Sequence, residues 1–367
     1  MSRFIQLHLL TSYPPSNLNR DDLGRPKTAV MGGQSRLRIS SQSLKRAWRT
    51  SDVFETALDQ HIGTRTKVKG VEIYESLIKK GVPKKLAMET AQSIANVFGK
   101  LKTLTKKEKE EFKNLSDSEK LAKELVKVEI EQLAHISPEE AQGIESLIES
   151  VAETKSMPEK EELALLKKKH TAADIALFGR MLAGSPQHNT EAAAQVAHAI
   201  TVHSVVVEDD FFTAVDDLNN GEEDMGAGHM GDTEFAAGLF YLYLCIDKEL
   251  LIENLSGDES LADKTLASLI EAAATIAPTG KQNSFASRAR ASYILCETGN
   301  QQPRSLSVAF LTPITGTGML QKAVESIQQK LVNMDKVYGD CADKRCTMNV
   351  ENAEGSLLEI IQCAQEA

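Results

Sequence analysis

No stretch of this sequence approaches the roughly 18 consecutive apolar residues that a membrane-spanning helix requires, which excludes a helical span. Its opening, "MSRFIQLHLLTS", is too short and too interrupted for the apolar core of a secretion signal and alternates like a strand. The chain has only five cysteines, Cys245, Cys296, Cys341, Cys346 and Cys363, odd in number and scattered. No second Cys or His pair stands close to Cys341 and Cys346, which argues against a zinc site. Free, structural thiols in a reducing cytoplasm are therefore expected. A P-loop and a dinucleotide-binding glycine motif are also missing, which counts against a phosphometabolite enzyme. Neither a cofactor nor a metal is expected. There is no internal repeat. The 367 residues, 41% hydrophobic, are enough to bury a substantial core and suggest two or three sub-structures.

Positive charge is scarce in most of the chain and crowded in one place. The net charge is -10, yet residues 1–50 hold nine basic residues against two acids. Between Arg180 and Lys248 there is no Lys or Arg at all, while Asp and Glu are frequent. An acidic protein with a basic N-terminal segment calls for a specific reason.

Hydrophobic patterning divides the chain into zones. Residues 3–11 read as a strand, followed by a loop rich in turn residues (Pro14, Pro15, Asn17, Gly24, Pro26) that runs through Gly32 and Gly33. From Ser41 the spacing is helical: Leu44, Ala47 and Trp48 share one face, and Lys45 and Arg49 another. Trp48 suits either the core or a stacking platform. Residues 60–170, rich in Lys, Glu, Leu and Ala, read as a helical insertion with solvated charged faces, and "LTKKEKEEFKNLSDSEK" reads as a connection within it. Beyond Thr171, "AHAITVHSVVV" and "FAAGLFYLYLCI" are strand-like, and the acidic, glycine-rich segment between them suits a projecting hairpin. A helix ("DKTLASLIEAAATIA"), two strands ("RASYILCET" and "RSLSVAFLTP") and a helix ("GMLQKAVESIQQKLVNMDKVY") complete the pattern. The order fits an α+β fold with a ferredoxin-like sheet and large insertions.

The basic segment has a mechanical reading. Ser40 and Ser41 stand where the helix begins, with hydroxyls suited to capping, and the free N–H groups and positive dipole end there attract an anion. Gly32 and Gly33 let backbone approach backbone. Arg20, Lys27, Arg36 and Arg38 precede the helix start; Gln42, Lys45, Arg46 and Arg49 follow it. Cations spread along a loop and a helix suit a polyanion, whose backbone they would hold without reading bases. A small phosphate ligand and a merely solvated basic surface remain open on the chemistry alone. His198 and His203, in a strand-like segment, fall on opposite faces and lack a partner pattern for catalysis or metal binding.

The residues "LNRDD…K…GG…R.RISSQSLKRA.R" closely resemble the N-terminal signature of the CasC family, the crRNA-binding backbone subunits of type I-E CRISPR Cascade complexes in the RAMP superfamily. "DIALFGRM", "AHAITVH", "FFTAVDDL", "GHMGDTEF…G.FY.Y" and "GKQNSFA" follow in the family's order, and the likeness is weakest over 60–170. The resemblance implies a modified RRM/ferredoxin-like palm, a helical fingers insertion and a thumb β-hairpin. Its expected parts are palm over 1–58, fingers over 59–172, palm again over 173–205, thumb over 206–234 and the remaining palm over 235–367. It implies a non-catalytic, cytoplasmic antiviral subunit, with no membrane partner. About six copies would assemble head to tail along the crRNA spacer and kink it at every sixth nucleotide for pairing with target DNA. Other Cascade subunits and a separate or fused effector helicase-nuclease would be further partners.

Carried onto this chain, Arg20, Lys27, Ser40, Gln42, Lys45 and Arg49 would hold guide phosphates and riboses, with Arg38, Ser41 and Arg46 beside them. Met181, after Gly179 and Arg180, would pack against the kinked base, and Phe211, Phe212, Thr213 and Val215 would form the base-displacing thumb contact. Backbone contacts suit a protein that must load any spacer. Ordinary strand or interface burial is the plainer reading of the two phenylalanines. The rival is catalytic: related type III backbones cut RNA with an Asp in a nearby loop, and Asp21 and Asp22 could hold Mg²⁺ for a metal-dependent endoribonuclease. Against it, adjacent side chains diverge in an extended loop, and Arg20, Arg25 and Lys27 would neutralise them.

Overall fold

The computed structural model describes residues 2–103, 123–182, 184–214 and 229–367. The segment "LTKKEKEEFKNLSDSEK" and Val215 lie outside them. The chain forms two compact units, one of Met1–Ala57, Ala194–Glu249 and Asp263–Ala367, the other of Leu58–Ala193 and Leu250–Ala262. The described strands are β1 (Phe4–Ser16), β2 (Thr28–Met31), β3 (Gln34–Ile39), β4 (Thr64–Thr66), β5 (Ala134–Ile136) and β6 (Ala194–Val196). They continue with β7 (Ala199–Thr201), β8 (Glu208–Ala214), β9 (His229–Asp247), β10 (Ala291–Gly299) and β11 (Lys344–Asn349).

The first unit is built on an antiparallel sheet in the order β11-β10-β1-β9-β7-β3-β2, with β6 and β8 also pairing β9. The mixed α+β class expected from the sequence is therefore the observed one. β1 lies between β9 and β10 and is buried from Ile5 to Thr11 on both faces. One face packs Leu10, Tyr241, Tyr293 and Leu295 with Ala323, Ile327 and Leu331 of the helix Met319–Tyr338. That face also buries a polar network: His8 Nε2 meets Glu297 Oε2 at 3.2 Å and His8 Nδ1 meets the Tyr241 hydroxyl at 2.9 Å.

Three sequence expectations are corrected here. "RSLSVAFLTP" is not a strand: Ser307–Phe310 form a 3₁₀ turn that sends Leu306 and Phe310 into the core, while Arg304 reaches back to Glu297. The spacing of those two apolar residues is helical rather than alternating, and prolines 303 and 313 bracket them. Residues 28–33, read as loop, form the β2–β3 hairpin together with residues 34–39. Gly32 (φ 60°) and Gly33 (φ 75°) make its two-residue turn, the pair of positive φ values that matches strand twist. At Gly32 the backbone touches Leu311, whose carbonyl oxygen a Cβ would meet. Finally, Cys346 of β11 and Cys363 of the helix Leu357–Gln365 form a disulfide with Cα atoms 6.5 Å apart. The helix lies against β10 and β11 and brings its cysteine to the strand, while Cys245, Cys296 and Cys341 are free and buried.

In the second unit, β4 and β5 pair beside the helices Lys69–Lys79, Lys84–Phe98 and Pro138–Thr154. Ile73, Leu77, Ala91, Ile94, Ile144 and Ile148 fill their common core. Residues 173–193, assigned to the sheet domain from the sequence, are held among these helices. Asp174 takes a hydrogen bond from His135 at 2.7 Å, and the buried Arg180 donates to Glu140 at 2.6 Å and to the His135 carbonyl at 3.1 Å. Among the described residues no helix is long and apolar enough to cross a membrane.

Candidate nucleic-acid interface

The helix α1, Ser41–Arg49, starts where expected. Ser40 is its N-cap, in extended backbone, and its hydroxyl accepts the Ser43 N–H at 3.4 Å. Leu44, Ala47 and Trp48 form the buried stripe, and Trp48 is completely enclosed, so it is core and not a stacking platform. The first turn carries no acid, which leaves the positive dipole end uncompensated. Gln42 and Arg46 are exposed; Ser41, Lys45 and Arg49 are half-buried. Burial lowers the Lys45 pKa.

Asn19 ties the preceding loop to this helix. Its side-chain oxygen accepts the Ser40 N–H at 2.9 Å, and its carbonyl accepts the Lys27 N–H at 2.8 Å. Asp21 Oδ1 accepts two backbone N–H groups, from Leu23 and Arg25, each at 2.9 Å. This carboxylate oxygen therefore closes the loop, a local use that the metal-binding reading of Asp21 and Asp22 did not foresee. The loop presents Arg20 exposed and Lys27 half-buried.

Arg36 behaves differently from its neighbours. It is fully buried and donates to the carbonyls of Thr201 at 3.0 Å and Phe310 at 2.9 Å. Counted among the phosphate-holding cations from its position in the sequence, it is instead part of the frame. Arg38, two residues on, is half-buried, and its Nη1 lies 2.8 Å from His198 Nδ1.

An open groove of about 440 Å³ runs between residues 18–22, Ser43 and the Thr279–Gly280 turn. Gly280 is required there: a Cβ would come within 2.3 Å of the Leu18 carbonyl oxygen. The following "KQNSF" segment reaches the base of the hairpin formed by β8 and β9. Lys281 Nζ donates to Thr233 Oγ1 at 3.0 Å, and the rings of Phe235 and Phe285 lie 6.0 Å apart. Asn17 joins the same point, its amide donating to the carbonyls of Gly24 and Glu234, each at 2.9 Å. Sequence reasoning used "GKQNSFA" only as a mark of resemblance and missed Lys281. Its left-handed backbone (φ 45°) belongs to no periodic pattern.

On the hairpin, Phe211 faces Asp232, Phe212 faces Gly231 and Thr213 faces Met230. Successive residues alternate between faces, so Phe211 and Met230 share one face and Phe212 takes the other. All three are exposed, at 63%, 63% and 41%, as is Thr213. The Phe212 ring lies over Gly231, where a Cβ would sit 2.7 Å from its Cζ. Met230 had not been singled out. In the second unit Met181 is 81% exposed, immediately after the anchored Arg180. The structure thus gathers Arg20, Lys27, Arg38, Ser40 and α1 around Asn19, sets Phe211, Phe212 and Thr213 on the hairpin, and carries Met181 in the other unit.

Comparisons with known proteins agree with the resemblance read from the sequence. A chain of a "CRISPR RNA-guided surveillance complex, pre-nicking" matches at 30% identity over 99% of both chains, with a TM-score of 0.82. A chain of a "CRISPR RNA-guided surveillance complex" matches at 27% identity over 99% of this chain and 98% of that one, with a TM-score of 0.61. A search of curated proteins returned no match. The model of the family described as CT1975-like protein matches residues 5–366, almost the full length, and on that match the chain belongs to the CT1975-like protein family.

Proposed function

We propose that this chain is a backbone subunit of a CRISPR RNA-guided surveillance complex of the Cascade kind, with the crRNA and the other Cascade subunits as its partners. The observation that carries the reading is the match, over 99% of both chains at a TM-score of 0.82, to a subunit of such a complex. In this reading the sheet unit is the palm, the helical unit the fingers and the β8–β9 hairpin the thumb. Arg20, Lys27, Arg38, Ser40, Ser41, Gln42, Lys45, Arg46 and Arg49 hold the guide backbone. Met181 and the exposed apolar side chains of the hairpin pack against displaced bases. Several copies load head to tail, kink the spacer at every sixth nucleotide and work in the cytoplasm as part of a type I-E system. Cutting of target DNA falls to a separate or fused helicase-nuclease, and this subunit itself is non-catalytic. The engagement of Asp21 Oδ1 with two backbone N–H groups supports a loop-closing role over a metal-binding one.

Two expected results test it. Lys45→Ala or Arg49→Ala lowers guide affinity uniformly across spacer sequences and reduces the slope of log affinity against log salt by about 1 each. Filter binding over a salt series reads both quantities, and a loss confined to some spacers would contradict backbone holding. Phe212→Ala leaves guide loading intact and weakens target pairing by about 1–3 kcal/mol, the range of one lost base stack. Unchanged target affinity would make Phe212 a framework residue.

A further inference from the structure

His198 stands at the interface without an assigned role. It immediately precedes β7, whose Ala199 and Ile200 pair with Ile39 and Arg38 of β3. Its ring reaches across that pairing to Arg38, with Nη1 and Nδ1 2.8 Å apart. The Arg38 N–H donates to the Lys27 carbonyl at 2.8 Å, and the Lys27 N–H donates to Asn19, which in turn holds the Ser40 N–H. Successive hydrogen bonds therefore link His198, Arg38, Lys27 and the start of α1. A guanidinium can only donate, so Nδ1 is the acceptor and the neutral ring carries its proton on Nε2. The ring is exposed.

We propose that His198 is a guide-contacting residue that acts with Arg38 as a paired donor to the RNA backbone, and that RNA binding is coupled to its protonation. The inference rests on the RNA-binding function proposed above. Partial burial first, and then the charges of Arg38 and Lys27, hold His198 below its usual pKa, so the free protein keeps it neutral at neutral pH. The charged groups that bear on it are both cations, one from β3 and one from the loop before β2. A phosphodiester placed among the three groups reverses the local potential and favours the imidazolium. The proton taken up goes to Nδ1, which then no longer accepts from Arg38, so that both side chains turn their donors to the phosphate. Because the pKa is higher in the complex than in the free protein, a proton is taken up on binding. Affinity then rises as pH falls between the two values, by at most about tenfold per pH unit.

The test measures binding of a labelled spacer-length oligoribonucleotide to the full chain from about pH 8 to about pH 5.5, where an imidazole titrates. Wild type should bind several-fold more tightly in acid. His198→Gln, which keeps a donor but cannot take up a proton, should lose the acid gain, so that its affinity no longer rises as pH falls. His198→Lys, with a fixed charge, should bind tightly without that pH dependence. Parallel pH curves for wild type and His198→Gln would overturn the inference while leaving the proposed function intact. Failure of wild type to bind RNA at any pH would overturn both.

Discussion

Glu297→Ala is expected to destabilise the protein by about 3–5 kcal/mol, the usual cost of breaking a buried ion pair by removing one partner. The Glu297 carboxylate has no exposed surface. Arg304 clasps it with Nη1 at 2.5 Å and Nη2 at 2.9 Å, Arg345 Nε adds a bond at 2.8 Å, and His8 donates from Nε2 at 3.2 Å. Arg345 also pairs with Asp335 of the helix Met319–Tyr338, so the network fastens that helix to β10 and β11. Alanine would leave two guanidinium groups facing a vacated buried site. Burial by itself would raise the Glu297 pKa, yet the bonds and charges of His8 and Arg304 hold it well below the usual carboxylate range. A lowered folded-state pKa means the stabilisation is fully present above the ordinary value of 4.5 and disappears as pH falls toward the folded-state value. Denaturant unfolding should therefore show a large difference between wild type and variant at neutral pH that shrinks below about pH 4.5. Equal stability at neutral pH would contradict the role of this network.

Trp48→Ala is expected to cost about 3–5 kcal/mol, the range for removing a large buried aromatic. Trp48 is the largest side chain with no exposed surface. Among the described residues its indole N–H has no hydrogen-bond partner, so the loss is one of packing. The consequence reaches the proposed interface because Lys45, Arg46 and Arg49 are presented by the same turns that Trp48 anchors. Guide affinity should fall with stability, and Trp48→Phe, which refills much of the volume, should recover most of both. Thermal unfolding and filter binding on the two variants check this. A Trp48→Ala protein as stable as wild type would show that α1 does not depend on this packing.

What could be read from the sequence follows from what leaves a periodic trace. Leu44, Ala47 and Trp48 fix one face of α1, and Ser40 marks its start, so the central element of the proposed interface was legible. The helix Met319–Tyr338 was equally plain, with Ala323, Ile327 and Leu331 spaced four apart. Residues 28–39 were not, because Thr28–Met31 is too short to show alternation and the Gly32-Gly33 pair was read as loop rather than as a two-residue turn. Charge alone cannot separate Arg36 from Arg38: they are neighbours on one strand, and one points into the frame while the other meets His198. The Cys346–Cys363 bond depends on a strand and a helix coming together across 17 residues, which spacing does not disclose. Lys281, Thr233 and Asn17 converge from three distant segments, a proximity that only the fold creates.

The backbone-subunit account is tested most directly by co-expressing the chain with a CRISPR array and its processing subunits and probing the purified complex with nuclease. The account predicts a protected guide with hypersensitive positions recurring every six nucleotides, one for each base displaced by a thumb. Absence of retained RNA, or uniform protection without a period, would contradict it.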